Sequence, residues 1–365
     1  MRRCLALIFT GAFFALPLAA DSPYPTDRAV YVAACATCHG ADGRGNPHPP
    51  VEFAEPLPDF TDCSFATREP DADWMAVTHD GGPARAFARM MPAFGEALPL
   101  AELQRALDHM RTLCADRRWP RGELNFPRTL FTEKAFPEDE AVFTSTIAAE
   151  GGTSIASKVI YETRIGPAGQ IELIAPFAFR EDAGSGGGVG SGIGDVAIAY
   201  KRALHHDVAR GSIVAGAVEV IFPTGDDEKG FGSGTTVVEP FVAWGQILPA
   251  DSFLQAQLGA ELPVDRDRAE REGFLRMALG RSFTEGMFGR TWTPMVELLT
   301  NRELASGAAF HWAVVPQVQV SLPTRQHILA NVGVRIPLDD RDARNTEVAF
   351  YLLWDWFDGG LTDGW

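Results

Sequence analysis

The residues most able to do chemistry lie in one short segment, Cys35-Ala36-Thr37-Cys38-His39. Each thiol can add across one vinyl group of a haem, because a gap of two residues matches the spacing of the two vinyls, and the adjacent histidine can then bind the iron. A structural disulfide or a thioredoxin-like site also uses C-x-x-C, but neither needs the histidine. The segment therefore predicts one covalently bound haem c, held by Cys35 and Cys38, with His39 as an iron ligand.

A second iron ligand is expected further along the chain, where two methionines stand together before Pro92. Methionine opposite histidine is a known haem ligation that raises the reduction potential. A residue that precedes proline is kept out of the helical region, so Met91 should lie on extended backbone that can reach the iron. Met91 is therefore the predicted ligand, and Met90 is expected to pack. His79 is the alternative ligand, although two glycines follow it closely and favour a helix end there.

The order of these motifs resembles that of class I cytochromes c. Tyr31 followed by the attachment motif is similar to the family's first helix running into the haem, and 91–95 is similar to its methionine loop. Residues 100–113 carry apolar residues on one helical face and resemble the closing helix. The resemblance implies an all-α haem domain over residues 21–114 that transfers electrons.

Two further cysteines, Cys63 and Cys114, form an even pair once the motif cysteines and Cys4 are set aside. In an exported protein an even pair predicts a disulfide. The alternative is two unrelated buried thiols. The pair departs from the class I pattern, and a bridge between the two would staple the end of the closing helix to the loop beside the haem.

The N-terminal residues have the organisation of a secretory signal. A basic start, an apolar run over 5–18 and small residues at Ala19 and Ala20 predict a signal peptide over 1–20. The run is too short to cross a bilayer comfortably, so a retained membrane helix is the weaker alternative. We therefore expect an exported protein.

Length and charge restrict the remaining possibilities. A chain of 365 residues suggests two domains. The formal net charge of -16 argues against nucleic acid as a partner, because no basic patch is available to neutralise phosphates. Residues 115–141 include many charged residues and several prolines, and their apolar residues have no regular spacing. Such a composition is typical of a linker.

From about residue 142 onwards apolar and polar residues alternate, which is the signal of β-strands. In 253–262, for example, leucine and alanine alternate with glutamine, glycine and glutamate. Twelve such segments begin near residues 141, 154, 169, 193, 211, 235, 252, 273, 290, 309, 326 and 346. Each is about ten residues long, enough to cross a bilayer as a tilted strand, and their even number suits a bacterial outer-membrane barrel. Residues 142–365 are therefore predicted to form an all-β antiparallel barrel.

Loop lengths and aromatic residues support the same interpretation. With both barrel ends in the periplasm, the external loops should be the long ones, such as 181–192 and 224–234, and the alternate turns, such as 166–169 and 323–325, should be short. Only the first external loop, at Gly151-Gly152, breaks this rule. Tryptophans on the apolar face are similar to the girdles of lipid-facing barrels: Trp244, Trp292, Trp312, Trp354 and Trp356. The alternative is a soluble β-sandwich or barrel, with shorter strands and a polar exterior.

Two short motifs carry a second resemblance. Residues 192–196, Gly-Ile-Gly-Asp-Val, and 222–226, Phe-Pro-Thr-Gly-Asp, resemble segments of the barrel family linked to the MetA protein of phenol-degradation pathways. In that family they mark a strand start and an external loop. The resemblance implies an outer-membrane barrel in this half of the chain.

The remaining histidines give no clear site. His205 and His206 lie in a predicted periplasmic turn and are expected to be solvated. His311 and His327 face the inferred lumen on adjacent strands, where a pore-lining role is preferred to metal binding.

Together these predictions indicate an electron carrier rather than an enzyme that converts a substrate of its own. Its haem domain should hang in the periplasm on the 115–141 linker, tethered by a barrel that contacts outer-membrane lipid. Its partners should be a redox donor protein and a redox acceptor protein. Two alternatives remain open: an outer-membrane transport protein in which the haem domain senses or gates, and a periplasmic haem redox enzyme with a soluble β domain.

Overall fold

The computed structural model describes residues 22–49, 57–85, 87, 89–149, 154–181, 189–322, 327–340 and 344–355. The predicted signal peptide, the turn 323–325, Trp356 and most of the predicted loop 181–192 lie outside these ranges. A small helical domain comes first and a closed antiparallel barrel follows. Across the described ranges, no helix is long and apolar enough to cross a membrane.

The helical domain contains five helices and a 3-10 turn. They are α1 Asp27–Ala34, α2 Ala36–His39, α3 Cys63–Ala66, α4 Asp71–Asp80, the 3-10 turn Gly82–Arg85 and α5 Leu100–Leu113. α1 begins where the side chain of Thr26 accepts a hydrogen bond from the Ala29 N–H, as an N-cap should. α5 occupies the range expected for the closing helix.

The core of this domain lies between α1 and α5. Leu103, Leu107 and Met110 recur at helical spacing on α5 and are buried against Val30 and Tyr31 of α1. The amphipathic pattern of the sequence therefore fixes which face of α5 turns inward.

The barrel is built from fourteen strand segments. They are β1 Glu140–Ala148, β2 Ser154–Ile165, β3 Gly169–Glu181, β4 Val189–Ile193, β5 Ala197–Asp207, β6 Ser212–Ile221, β7 Val237–Leu248, β8 Ser252–Pro263, β9 Glu272–Arg281, β10 Phe283–Thr284, β11 Thr291–Glu303, β12 His311–Leu322, β13 His327–Pro337 and β14 Glu347–Asp355. β4 and β5 pair with successive parts of β3, and β10 extends β9 beyond Ser282, so the segments make twelve barrel strands. β1 pairs with β14, and β9 pairs with β11, which closes the barrel. The predicted twelve-stranded architecture is confirmed.

Side chains alternate between a polar lumen and an apolar exterior. On β8, Gln255 and Gln257 are only 1% and 2% exposed inside the barrel, whereas Leu258 is 62% exposed outside. Trp292 and Trp312 also lie on the exterior. The alternation of polar and apolar residues in the sequence therefore corresponds to the two faces of one sheet.

The connections between strands differ at the two ends of the barrel. At one end they are short, as at 166–168, 208–211 and 249–251, and the turn that contains Phe288 at this end meets the helical domain at Arg85. At the other end longer stretches follow β6 and β8. Among the described connections, short turns therefore lie at one end of the barrel and longer loops at the other, as the sequence predicted. The helical domain lies at the end with the short turns.

The second half of the predicted linker lies inside the barrel. After the 3-10 turn Gly122–Leu124, residues 125–139, here called the plug, enter the lumen before β1 begins. Plug residues bond to lumen side chains from strands all around the barrel: Glu162, Gln170, Lys201, Gln255, Gln257, Glu297, Gln317 and Tyr351. The sequence predicted a linker over 115–141 but not that residues 125–139 lie inside the lumen.

Charged and backbone groups fasten the plug. The Arg128 guanidinium contacts the carboxylates of Glu140 and Glu162, the latter at 2.7 Å. At the tip of the plug, the successive N–H groups of Leu130, Phe131 and Thr132 donate to the Glu297 carboxylate at 3.1, 3.1 and 2.6 Å. Consecutive backbone N–H groups of this kind make a concavity that holds an anion.

Candidate functional site

The attachment motif forms the short helix α2. Cys35 is its N-cap and is buried, and His39 is its last residue and is half-buried. The thiols of Cys35 and Cys38 are free. Gly40 has a φ of 75°, and a Cβ there would lie 2.9 Å from the Gly45 carbonyl oxygen, so only glycine lets the chain turn away at once. The motif is thus held at a fixed point between α1 and the following loop.

Desolvation favours the neutral forms of His39 and of the Cys35 thiol. Burial lowers the pKa of His39 to about 4, so the imidazole is uncharged at neutral pH and keeps a lone pair for a metal. Burial, with a smaller contribution from Cys38, raises the pKa of the Cys35 thiol to about 11. The buried Nδ1 of His39 has no hydrogen-bond partner among the described residues. Two free thiols beside a half-buried imidazole whose Nδ1 has no partner among the described residues fit a covalently attached haem.

Aromatic side chains surround His39 on one side. The Phe60 ring lies 5.0 Å from the His39 ring, and the Trp74 ring lies 5.5 Å from that of Phe60. The Arg111 guanidinium stacks 3.9 Å above the Trp74 ring. Such a wall excludes water, which is one of the ways a protein tunes a metal centre.

The predicted methionine loop is fastened to the end of α4. The Gly82 N–H donates to the Met91 carbonyl at 3.0 Å, and the Phe94 N–H donates to the Thr78 carbonyl at 3.1 Å. Met91 is half-buried, whereas Met90 is 44% exposed. These positions agree with the roles expected for the two methionines, which remain predictions.

His79, the alternative ligand, is occupied by other contacts. It is the last residue but one of α4, and the carboxylate of the final residue, Asp80, contacts its Nδ1. Its ring lies 5.3 Å from that of Phe288, and Gly95 packs so closely against it that a Cβ would be 2.5 Å away. The helix end predicted at the two glycines is present.

A disulfide joins Cys63 and Cys114, with an S–S distance of 2.01 Å. It connects the first residue of α3 to the residue that follows α5. Beside it, Arg111 on α5 bonds to Asp71 at 2.8 Å and to the Glu69 carbonyl at 2.8 Å. The predicted pairing therefore staples the closing helix to the segment that carries the aromatic wall.

A barrel turn reaches the helical domain, and sequence analysis missed this contact. Phe288, between β10 and β11, packs against the core of the helical domain, and its carbonyl accepts a hydrogen bond from Arg85 at 3.1 Å. Arg68 also pairs with Asp139 of the plug at 3.4 Å. No sequence signal could have found these contacts, because Arg85 and Phe288 are 203 positions apart.

The other predicted histidines do not come together. β12 and β13 are neighbours, as expected, but His311 begins β12 and His327 begins β13, so the antiparallel register puts them at opposite ends of the barrel. His311 contacts Asp339 at 2.9 Å. His206 lies at the short-turn end, 3.3 Å from the Arg118 carbonyl.

Comparison with known proteins separates the two halves. Residues 24–110 match the family described as cytochrome c oxidase, cbb3-type, subunit III. No curated protein matches the chain. Among the solved structures that are similar to the barrel are one outer-membrane channel and two porins. The COG4313 outer membrane channel from Pseudomonas putida F1 is 13% identical with a TM-score of 0.44, over 63% of this chain and 100% of that one.

The other two similar structures are porins. The KdgM porin is 8% identical with a TM-score of 0.39, over 60% of this chain and 99% of that one. The NanC porin is 9% identical with a TM-score of 0.39, over 59% and 98%. None of these matches confirms the MetA-family resemblance, which stays a prediction. The chain therefore joins a cytochrome domain similar to cbb3 subunit III, over residues 24–110, to a closed barrel of twelve strands.

Proposed function

We propose that this chain transfers electrons through one haem bound covalently by Cys35 and Cys38, with His39 and Met91 as iron ligands. The observation that carries the proposal is the C-x-x-C-H segment at α2, where both thiols are free and the histidine is neutral, with a buried Nδ1 that has no partner among the described residues. The cbb3 family match over the same domain supports it. A haem held there would supply reversible exchange of one electron between ferrous and ferric iron.

The protein residues around the motif would position the group and exclude water. The Tyr31 hydroxyl donates to the Gly40 carbonyl at 2.7 Å and ties α1 to the turn after the motif. The disulfide and the Arg111 contacts hold Phe60 and Trp74 beside His39. We propose an electron carrier rather than an enzyme, because these groups bind and orient but form no nucleophile–base pair.

Covalent attachment is tested by haem staining on a denaturing gel. The double variant Cys35→Ala, Cys38→Ala should lose the stain from the polypeptide. The matched control is Cys63→Ser, Cys114→Ser, which also removes two cysteines but leaves the motif intact and should keep the stain. A stained Cys35→Ala, Cys38→Ala band would refute the proposal.

We also propose that the barrel anchors this domain in the outer membrane, with the haem domain on the periplasmic side. The barrel exterior exposes apolar residues such as Val159, Leu258 and Val332, which suit lipid and not water. Its strands include segments of 9 to 13 residues, enough to cross a bilayer when tilted. Short turns face the periplasm in barrels of this kind, and the helical domain lies at the short-turn end.

A single haem on one side of a hydrocarbon core about 30 Å thick cannot carry electrons across it alone. The proposed carrier therefore exchanges electrons with a donor protein and an acceptor protein that both reach the periplasmic side. The net charge of -16 favours partners with basic docking surfaces.

The second candidate function is solute transport controlled by the haem domain. The observation that favours it is the plug, which is continuous with the helical domain and occupies the lumen. A displacement of the helical domain could pull on the plug directly. Conductance measurements on the variant Arg128→Ala, Glu297→Ala, which weakens the contacts of the plug, test this candidate.

A further inference from the structure

The connection between β10 and β11, residues 285–290, is here called the barrel turn. Its backbone is closed on itself, because the Glu285 N–H donates to the Arg290 carbonyl at 2.8 Å and the Gly289 N–H donates to the Glu285 carbonyl at 3.0 Å. The Glu285 carboxylate also accepts a hydrogen bond from the Trp292 indole at 2.8 Å, which ties the turn to β11. The barrel turn is therefore a fixed extension of the barrel rather than a loose loop.

Phe288 lies in the barrel turn and reaches the helical domain at two points. Its ring lies 5.3 Å from the His79 ring near the end of α4, and it packs against the hydrophobic core of that domain. Its carbonyl accepts a hydrogen bond from Arg85, in the 3-10 turn, at 3.1 Å. The Arg85 side chain is mostly buried and also pairs with Asp73 of α4 at 3.5 Å. The barrel turn thus contacts both α4 and the 3-10 turn that follows it.

The same two segments hold the methionine loop, residues 91–95. The Gly95 N–H donates to the His79 carbonyl at 2.9 Å, and the Gly82 N–H of the 3-10 turn donates to the Met91 carbonyl at 3.0 Å. A Cβ on Gly95 would lie 2.5 Å from the His79 ring, so the loop packs directly on that ring. His79 therefore contacts the barrel turn and the methionine loop at once.

The methionine loop depends on such contacts for its order. Between the 3-10 turn and α5, the described residues form no helix or strand, so ordering them costs conformational entropy that only packing and hydrogen bonds with neighbours can offset. Groups that hold a metal ligand from outside the coordination shell also affect how firmly that ligand binds. A contact that steadies this loop therefore bears on the proposed iron ligand that the loop carries.

We propose that the barrel turn holds the methionine loop in place, with Phe288 as a positioning residue for Met91. This inference rests on the proposed function, since it takes Met91 as an iron ligand. The barrel is then a part of the haem site as well as its anchor. A looser loop would release Met91 more often, and a competing ligand such as imidazole would bind more tightly, because its apparent affinity rises with the fraction of protein in which Met91 is detached.

Imidazole titration of the ferric, full-length protein in detergent tests this proposal. Phe288→Ala should bind imidazole about tenfold more tightly than the unsubstituted protein, because an aromatic contact contributes free energy of that order. Its reduction potential should also fall, since methionine ligation raises the potential. Phe288→Leu should show a smaller increase in affinity, and Phe288→Tyr, which keeps the ring beside His79, should bind like the unsubstituted protein. The matched control is Met287→Ala, a change at a residue of the same turn that is 56% exposed.

Haem staining on a denaturing gel distinguishes failure of this inference from failure of the proposed function. An unstained polypeptide in the unsubstituted protein would refute the proposed function. A stained polypeptide without the absorption band of an iron–thioether bond would overturn this inference alone, because Met91 would not be a ligand. Equal imidazole affinity of stained Phe288→Ala and Met287→Ala would also overturn it. If Phe288→Ala does not accumulate, the same comparison between Phe288→Leu and Met287→Ala decides.

Discussion

Two adjacent methionines have different surroundings at the scale of single residues. Met91 is half-buried and its carbonyl is held by the Gly82 N–H at 3.0 Å, whereas Met90 is 44% exposed and leans into solvent. The sequence favours the same residue, because Met91 precedes Pro92 and is therefore kept on extended backbone. Backbone restriction and burial therefore both favour Met91 as the proposed iron ligand.

The difference between the methionines predicts a spectroscopic result. Met91→Ala should remove the absorption band near the red end of the ferric spectrum that reports an iron–thioether bond, because no other thioether is held at that position. Met90→Ala should retain the band and serves as the matched control. If Met90→Ala loses the band and Met91→Ala keeps it, the ligand assignment is reversed.

The attachment motif could be predicted from sequence because its chemistry is local, with all donors of Cys35, Cys38 and His39 inside five positions. The surroundings of His79 could not be predicted. Its ring packs against Phe288 from the other domain, and its Nδ1 is taken by Asp80. Residue types show what a side chain can do, but the contacts that occupy it come from distant parts of the chain.

At the scale of elements, the strands were predictable and the plug was not. Each strand carries its own period-two pattern, because one face meets the lumen and the other the exterior. The plug shows no regular alternation of polar and apolar residues, because its residues bond individually to lumen side chains such as Glu297 and Gln317 on different strands. Those partners become neighbours of the plug only after the barrel closes.

The disulfide predicts an effect on the stability of the helical domain. Cys63 and Cys114 are 51 positions apart, and closing a loop of that length contributes about 4 kcal/mol by the chain-entropy model. Cys63→Ser with Cys114→Ser should therefore lower the denaturant midpoint of the haem domain, followed by its haem absorption. Alkylation without reductant should leave both cysteines of the unsubstituted protein unlabelled, and labelling at either would contradict the bridge.

The plug predicts that the barrel is closed to ions. A barrel of twelve strands is intermediate between small filled barrels and wide aqueous channels, so a buried segment can decide whether it conducts. Arg128→Ala removes a buried ion-pair partner, a change that costs about 3–5 kcal/mol, and Glu297→Ala removes the acceptor of three N–H groups. The double variant should show higher conductance in planar bilayers than the unsubstituted protein.

The control for this experiment is Glu228→Ala with Lys229→Ala, two exposed changes in the loop after β6, which should conduct like the unsubstituted protein. Equal conductance of the unsubstituted protein and the Arg128→Ala, Glu297→Ala variant would show that the plug does not close the lumen. High conductance in the unsubstituted protein would favour the transport function over the carrier.

At the scale of the whole molecule, the two barrel ends are chemically different. One end has short turns and meets the helical domain through Phe288 and the linker through the Arg118 carbonyl. The other end opens into a cavity of about 450 Å³, here called the chamber, which lies beyond Leu130 and Phe131 of the plug. A molecule with this polarity places its cytochrome domain and its chamber on opposite sides of any membrane it spans.

This polarity predicts the result of trypsin treatment of intact cells. Lys229 lies in the loop after β6, at the chamber end, with a side chain that is 73% exposed, and Arg118 lies at the helical-domain end with a side chain that is 76% exposed. If the chamber end faces outwards, trypsin should cut near Lys229 and leave haem stain on a large fragment that still contains residues 22–229. Lys229→Gln should remove that cut, whereas Arg118→Gln should change nothing. Release of a small haem-stained fragment by cutting at Arg118, before the outer membrane is opened, would show that the orientation is reversed.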